Sequence, residues 1–337
     1  MPIDDELGTR TICSTVAVVL IAAAAPAPAS AQIHTPLGLG AWQWYLRSPD
    51  FKRMHQAGIS VFRTPIRWEA VQPPGARALR FHGYDLVFAA AAKQGVRIAP
   101  ILFGDPALHS PYDLAGFSRY ARQVAARYGP GGRFWRSHPH LPRLPARSFE
   151  VWNEENDPGY WAGAPDPVGY LRLLRAARRS VHAVDPSAEI VFGGTAAGGM
   201  DVQQYVSAVL ARGGGRLFDD YALHTYPPDP PSAVAAVQAA RWLLDAHGLT
   251  RAGIVVSELG WPGEVEDPAA PLAQQAANLV ATLKVLDARR EQLRLRAIDW
   301  FAYRDLAGPS LEDHLGLFNR DGTPKPIWFA LRGLTRG

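Results

Sequence analysis

Short apolar runs recur along the chain. Each gives way to polar, glycine or proline residues and then to a stretch with apolar positions every three to four residues. The runs are LGLGAWQWY (37–45), ISVFRTPI (59–66), VRIAPILF (96–103), SFEVWN (148–153), EIVFGG (189–194), DYALHTY (220–226), GIVVSE (253–258) and RAIDWFAY (296–303). They are rich in β-branched and aromatic residues and predict eight strands. Helical patterning falls over 111–129, 168–186, 231–248 and 269–290. Gly129 and Gly248 close two of these helices, and Pro186 stops a third. Strand starts lie 22 to 52 residues apart. Eight strands alternating with helices predict a (β/α)8 TIM barrel, a single α/β domain over 32–337 with no appended β-sandwich. An open doubly wound sheet would carry a glycine-rich phosphate turn after its first strand, where LGLGAW runs on into aromatics. The widest gap holds YGPGGRFWRSHPHLPRLPARS (128–148), expected as an ordered loop near the barrel mouth.

The first residues follow a different pattern. Thr11 to Ala25 are nearly all small or apolar, and Ala29-Ser30-Ala31 has the small-x-small form that signal peptidase accepts. Residues 1–31 therefore read as a signal peptide, with cleavage before Gln32 and a secreted, extracellular product. Fifteen apolar residues fall short of the roughly 20 that span a bilayer, so no stable membrane insertion is expected. Asp4, Asp5 and Glu6 outnumber Arg10 where positive charge is usual, which leaves open an uncleaved N-terminal anchor.

Composition narrows the chemistry. The single cysteine, Cys13, sits inside the leader, so the exported chain has no disulfide, no thiolate metal site and no cysteine nucleophile. Basic and acidic residues number 35 and 31 with no dominant charge run, which argues against a nucleic-acid partner. No cofactor motif stands out, and a monomer is expected.

Active sites of such barrels lie at the C-terminal ends of the strands. Strand four ends in Trp152-Asn153-Glu154-Glu155-Asn156 and strand seven in Ser257-Glu258-Leu259-Gly260-Trp261. Strand six ends in His224-Thr225-Tyr226, strand two carries Arg63 and Trp68, and strand eight carries Asp299-Trp300-Phe301. Two carboxylates at strand ends, ringed by aromatics, are what glycoside hydrolysis needs. One donates a proton to the leaving oxygen, and the other attacks or activates water. Aromatic faces stack on sugar rings.

VWNEEN and VSELGW resemble the two signature segments of clan A glycoside hydrolases. The His-x-Tyr of strand six is similar to the family 5 pattern, and YGPGGRFW followed by VWNEEN resembles secreted bacterial members near family 39. The resemblance implies Glu154 as acid/base and Glu258 as nucleophile. It implies Asn153 at the 2-hydroxyl of the reacting sugar, and Tyr226 orienting Glu258. It places His224 in the pocket wall, Arg63 as support for the nucleophile, and Trp300 as floor of the reacting subsite. The clan retains anomeric configuration, so the carboxyls should stand about 5–5.5 Å apart. Family 5 usually offers a histidine at the end of strand three, where this chain has Phe103 and Gly104.

Bland readings stand beside these. Glu155 reads as a salt-bridge partner. Trp42, Trp44, Trp135, Trp161 and Trp261 are candidates for sugar subsites or for packing. His138 and His140 look like a metal pair but have no third ligand in register, so no metal is expected. The implied partner is a β-linked oligo- or polysaccharide. The alternative is a secreted carbohydrate-binding barrel without catalysis, which would need neither Glu154 nor Glu258. A metal-dependent barrel hydrolase would want His-x-His where Trp42-Gln43-Trp44 stands.

Overall fold

A computed structural model describes residues 32–42, 45–263 and 269–335. The leader 1–31 with Cys13, and the subsite candidate Trp44, lie outside the described residues. Eight parallel strands close into a barrel in chain order. They are β1 (Leu37–Gly40), β2 (Val61–Arg67), β3 (Arg97–Phe103), β4 (Ser148–Asn153), β5 (Glu189–Thr195), β6 (Asp220–Thr225), β7 (Gly253–Leu259) and β8 (Leu295–Phe301). Each lies on one of the eight predicted runs, and the fold is a (β/α)8 TIM barrel. The largest shortfall is at β1, which ends at Gly40 rather than running to 45. The seam closes where Leu39 faces Trp300 and Gly40 faces Phe301.

The longer helices among the described residues are α1 (Ser48–Gln56), α2 (His82–Lys93), α3 (Leu114–Tyr128), α4 (Pro167–His182), α5 (Val202–Leu210), α6 (Pro230–Ala246), α7 (Ala269–Ala288) and α8 (Pro326–Thr335). Four start on an aspartate whose carboxylate accepts a backbone N–H: Asp113 from Gly116, Asp166 from Val168, Asp201 from Gln204 and Asp229 from Ser232. Such a cap satisfies one orphan donor and stabilises the helix by about 1 kcal/mol. All four sit where a strand's C-terminal loop enters a helix, so they fix the loops of the mouth. None of the described helices is long and apolar enough to cross a membrane.

Aromatics fill the layer between sheet and helices. Trp68, Trp152, Trp161, Tyr120, Tyr128 and Tyr170 are fully buried. Under the mouth the interior is charged instead: Arg63, Glu150, Glu258 and Asp299 are all buried. The chain start is tied down at Asp287 on α7, which accepts from the backbone of His34 and Thr35, while Ile33 N–H donates to Leu334 of α8.

The segment 129–147 is ordered but not at the mouth. It joins the end of α3 to the start of β4, so it lies at the opposite, N-terminal end of the barrel. A short helix, Arg133–Ser137, occupies it, and Ala146 N–H donates to Tyr128 at its base. Trp135, a sequence candidate for a subsite, is buried there with its indole on the Tyr128 carbonyl, at the end of the barrel away from the mouth. The ring nitrogen Nδ1 of His138 faces the Phe134 carbonyl at 2.9 Å, and neither His138 nor His140 belongs to a metal-like cluster among the described residues.

Candidate active site

The end of β4 sorts its side chains by an irregular backbone. Trp152 and Glu154 have φ of +73° and +49°, in the left-handed region that costs a side chain about 1–2 kcal/mol. Strict alternation is lost there. Glu150 and Asn153 both reach inward to Arg63, while Trp152 turns out into the aromatic layer, its indole on the Tyr160 carbonyl. Glu154 N–H donates to the Gly194 carbonyl of β5, which anchors its backbone at the rim.

Arg63 of β2 is the hub. Its Nε donates to Glu150 Oε2 at 2.6 Å and its Nη2 to Glu150 Oε1 at 2.7 Å, a two-pronged fork. Nη1 donates to Glu258 Oε1 at 2.8 Å, and Nη2 also reaches Asn153 Oδ1 at 3.2 Å. Burial alone would pull the Arg63 pKa down, but Glu150 and then Glu258 drive it up, so it is a fixed positive charge.

A register shift between Leu223 and His224 sets His224 of β6 directly opposite Glu258 of β7. His224 Nδ1 lies 2.7 Å from Glu154 Oε1, and its Nε2 lies 3.5 Å from Glu258 Oε1. The Tyr226 hydroxyl donates to Glu258 Oε2. One donor atom each from Glu154, His224 and Glu258 falls within 4.8 Å of the others. A cation could bridge that spacing, but the Arg63 guanidinium already supplies a positive charge against Glu258. Burial pushes the Glu258 carboxyl up; the charges of His224 and Arg63 and the hydrogen bonds from Tyr226 and Arg63 more than offset it, and its pKa lies below the ordinary value. Gly194 makes room for the imidazole, since a Cβ there would stand 2.0 Å from His224 Nε2.

The structure brings together Arg63, Asn153, Glu154, His224, Tyr226 and Glu258. It does not bring Trp300 into the pocket. Along β8, Asp299 points inward to the charges of Arg63, Glu150 and Glu258, so Trp300 points outward. Trp300 is buried, with its indole donating to the Leu315 carbonyl. Phe301 takes the inward place: its ring meets Tyr226 edge-on at 6.3 Å and lies over Gly40 beside Arg63. Trp261 is likewise buried, 6.2 Å from the Trp300 ring, and presents no face to a sugar. Trp161 is buried in the outer layer with its indole on the Tyr112 hydroxyl. Trp42 does reach the mouth. It is half-buried, lies nearly parallel to Tyr160 at 6.2 Å, and lines a cleft of about 340 Å³ with Phe103 and Arg67.

Among the described residues Glu155 has no salt-bridge partner. It points away from the barrel interior, fully buried, and neither carboxyl oxygen has a hydrogen-bond partner among those residues. Burial, then the charges of Glu150 and Glu154, holds it well above the ordinary range and therefore neutral.

Sequence reasoning missed Glu150, Tyr160 and Glu312, gave Asp299 no role, and favoured Trp300 over Phe301 as the inward aromatic of strand eight. Burial, then Glu154 and Glu258, raises the pKa values of both Tyr160 and Glu312, which places each near the two carboxylates. An acid inside an apolar run three residues before the strand end, as in Phe149-Glu150-Val151, was the one available signal for Glu150.

No family model matches the chain, and no curated protein sequence does. Solved structures do. The chain is similar to a family 39 glycoside hydrolase from the gut symbiont Bacteroides cellulosilyticus WH2, with TM-score 0.67, 19% identity, and coverage of 90% of this chain and 64% of that one. It is similar to a glucosidase from Croceicoccus marinus, with TM-score 0.67, 16% identity and coverage of 90% and 67%. It is also similar to a GH10 endoxylanase from a sugarcane soil metagenome, with TM-score 0.62, 14% identity and coverage of 89% and 97%. The chain thus spans about two thirds of the first two and nearly all of the third. Families 39 and 10 are clan A glycoside hydrolases, and at these identities the shared property is the barrel fold.

Proposed function

We propose that this chain is a retaining O-glycoside hydrolase acting on a β-linked oligo- or polysaccharide, exported and matured before Gln32. The carrying observation is the pair Glu154 and Glu258, with one oxygen of each within 4.8 Å and with unlike surroundings. Oxygens that close leave no room for the water that an inverting pair, about 6.5–9.5 Å apart, holds between its carboxyls, which supports the retaining class. Glu258 takes hydrogen bonds from Arg63 and Tyr226 and is held ionised. Glu154 touches only His224 among these groups and stands at the rim, where a leaving oxygen would arrive.

In the first step Glu154 gives its proton to the glycosidic oxygen. The C1–O bond breaks as a Glu258 oxygen bonds to C1, which leaves a glycosyl ester. In the second step Glu154, now a carboxylate, takes a proton from water. The water oxygen bonds to C1, the ester bond breaks, and Glu258 returns as a carboxylate. Asn153, held by Arg63, is placed to hydrogen-bond the sugar ring's hydroxyl, and Phe301 supplies an apolar floor.

The test is reducing-end release from a panel of β-linked polysaccharides and aryl glycosides, with a Glu154→Ala/Glu258→Ala double variant as blank. Release that vanishes in the blank is expected. Glu258→Ala alone should abolish turnover, and near-normal activity in it would sink the assignment.

A further inference from the structure

Arginines gather on one outer face of the barrel. Helices α3 and α4 pack side by side there, and the groove between them measures about 470 Å³. Arg172, Arg175 and Arg179 of α4 line it. Apolar side chains such as Leu114 and Ala176 line it too, with the hydroxyls of Ser118 and Ser180. The three arginines stand at positions i, i+3 and i+7, so they share one face of α4 and spread over about 10 Å of its length. Arg122, exposed on α3 one turn after Ser118, continues the row from the other side. No carboxylate lines the groove, and none of these four arginines has an ion-pair partner among the described residues. Arg178, beside Arg179, pairs with Asp219 instead. The acids at the heads of the two helices, Asp113 and Asp166, are engaged as caps. Like charges one turn apart repel, so this face costs the helix stability until an anion covers it.

We propose that this groove binds an acidic polysaccharide through uronate carboxylates spaced along its chain. It is a site apart from the carboxylate pair, and it goes beyond the glycosidase reading without depending on it. A guanidinium matches a carboxylate with two parallel N–H donors. A row about 10 Å long meets charges that repeat along a polymer better than it meets one small anion. Leu114 and Ala176 suit the C–H faces of sugar rings, and the two serine hydroxyls can pair with ring hydroxyls. No aromatic side chain lines the groove, so the bases of a single-stranded nucleic acid would find nothing to stack on.

The experiment uses the Glu154→Ala/Glu258→Ala double variant, so that no probe is degraded. Affinity electrophoresis and calorimetry measure its binding to polygalacturonate, to alginate and to methyl-esterified polygalacturonate. In that background Arg172→Gln/Arg175→Gln/Arg179→Gln removes the row. Arg143→Gln/Arg216→Gln/Arg251→Gln removes the same charge from exposed arginines at the N-terminal end of the barrel. Thermal melts check that each protein is folded. At least one acidic polymer should bind, and roughly tenfold more weakly as salt rises from about 50 to about 300 mM. The groove variant should lose roughly tenfold or more in affinity, and the far-end variant should stay within about twofold. Binding of the methyl ester as tight as that of the acid, equal affinities in the two variants, or no binding of either acidic polymer overturns the proposal. So does polyuridylate that binds as tightly as the better polysaccharide and is lost in the groove variant, which would make the groove a nucleic-acid site. Nothing is cleaved in this test, so its failure leaves the glycosidase reading intact. Failure of reducing-end release likewise leaves the groove intact.

Discussion

Glu258 is worked on from opposite directions. Burial penalises its charge, while His224, Arg63 and the Tyr226 hydroxyl favour it, and the balance lies below the ordinary glutamate value of 4.5. A nucleophile must be ionised to attack, so the acidic limb of kcat/KM should fall below pH 4.5. Removing the Tyr226 hydrogen bond leaves burial less opposed and raises the Glu258 pKa. Tyr226→Phe should therefore move the acidic limb to higher pH and lower kcat by roughly 10- to 100-fold. A pH–rate profile of both proteins checks this, and an unmoved limb would show that Tyr226 does not tune the nucleophile. These residues were legible because each sits in a short local motif. Glu150 and Asp299 were not, because what makes them part of the site is Arg63, which lies 87 residues before Glu150. Glu155 was misread for a related reason: adjacency to Glu154 says nothing of a backbone that turns left-handed between them.

At the level of elements, alternation decides which aromatic of β8 faces the barrel interior. Both Trp300 and Phe301 were visible in the sequence, but the phase of a strand is set by its neighbours. Leu39 pairs with Trp300 and Gly40 with Phe301, and it is over Gly40 that space opens toward Arg63. Phe301→Ala should lower kcat/KM at least tenfold with a small change in melting temperature. Trp300→Phe should lower stability by about 1–3 kcal/mol, through lost packing and the lost bond to Leu315, and leave kcat/KM within about twofold. Steady-state kinetics and melts on the two variants separate these outcomes, and the reverse pattern would restore Trp300 to the pocket. The same dependence on neighbours explains the segment 129–147. Its length and composition marked it as ordered, but only its place after a helix and before a strand puts it at the far end of the barrel. The eight strands were legible because buried runs of this kind are short, apolar and bounded. Nine-residue helices such as α1 and α5 give too few turns for a clear period.

The whole molecule carries the consequence of a charged interior. Asp299 sits beneath the site with Oδ1 unpaired, in space left by Gly38, where a Cβ would stand 1.9 Å from it. Burial pushes its pKa from 3.8 to about 7. Glu155, on the outer side of the sheet, is likewise held well above its usual value by burial. Both groups keep protons in the folded chain that the unfolded chain releases near pH 4. The native state therefore binds more protons than the unfolded state above that pH, and stability must fall as pH rises. The paired Glu258 acts in the opposite sense, but only below pH 4.5, where the unfolded chain takes up the proton that the folded site excludes. Between pH 5 and pH 6.5 the buried neutral acids set the sign. Glu155→Gln keeps the shape of the neutral carboxyl and cannot ionise, so it removes one proton from the difference. Its unfolding free energy should fall less steeply with pH than that of wild type, by about 1.4 kcal/mol per pH unit. Urea unfolding at pH 5, 5.5, 6 and 6.5 measures both slopes. Parallel slopes would mean that Glu155 is ionised in the folded chain, and steeper decline in wild type would tie the loss of stability with rising pH to this one side chain.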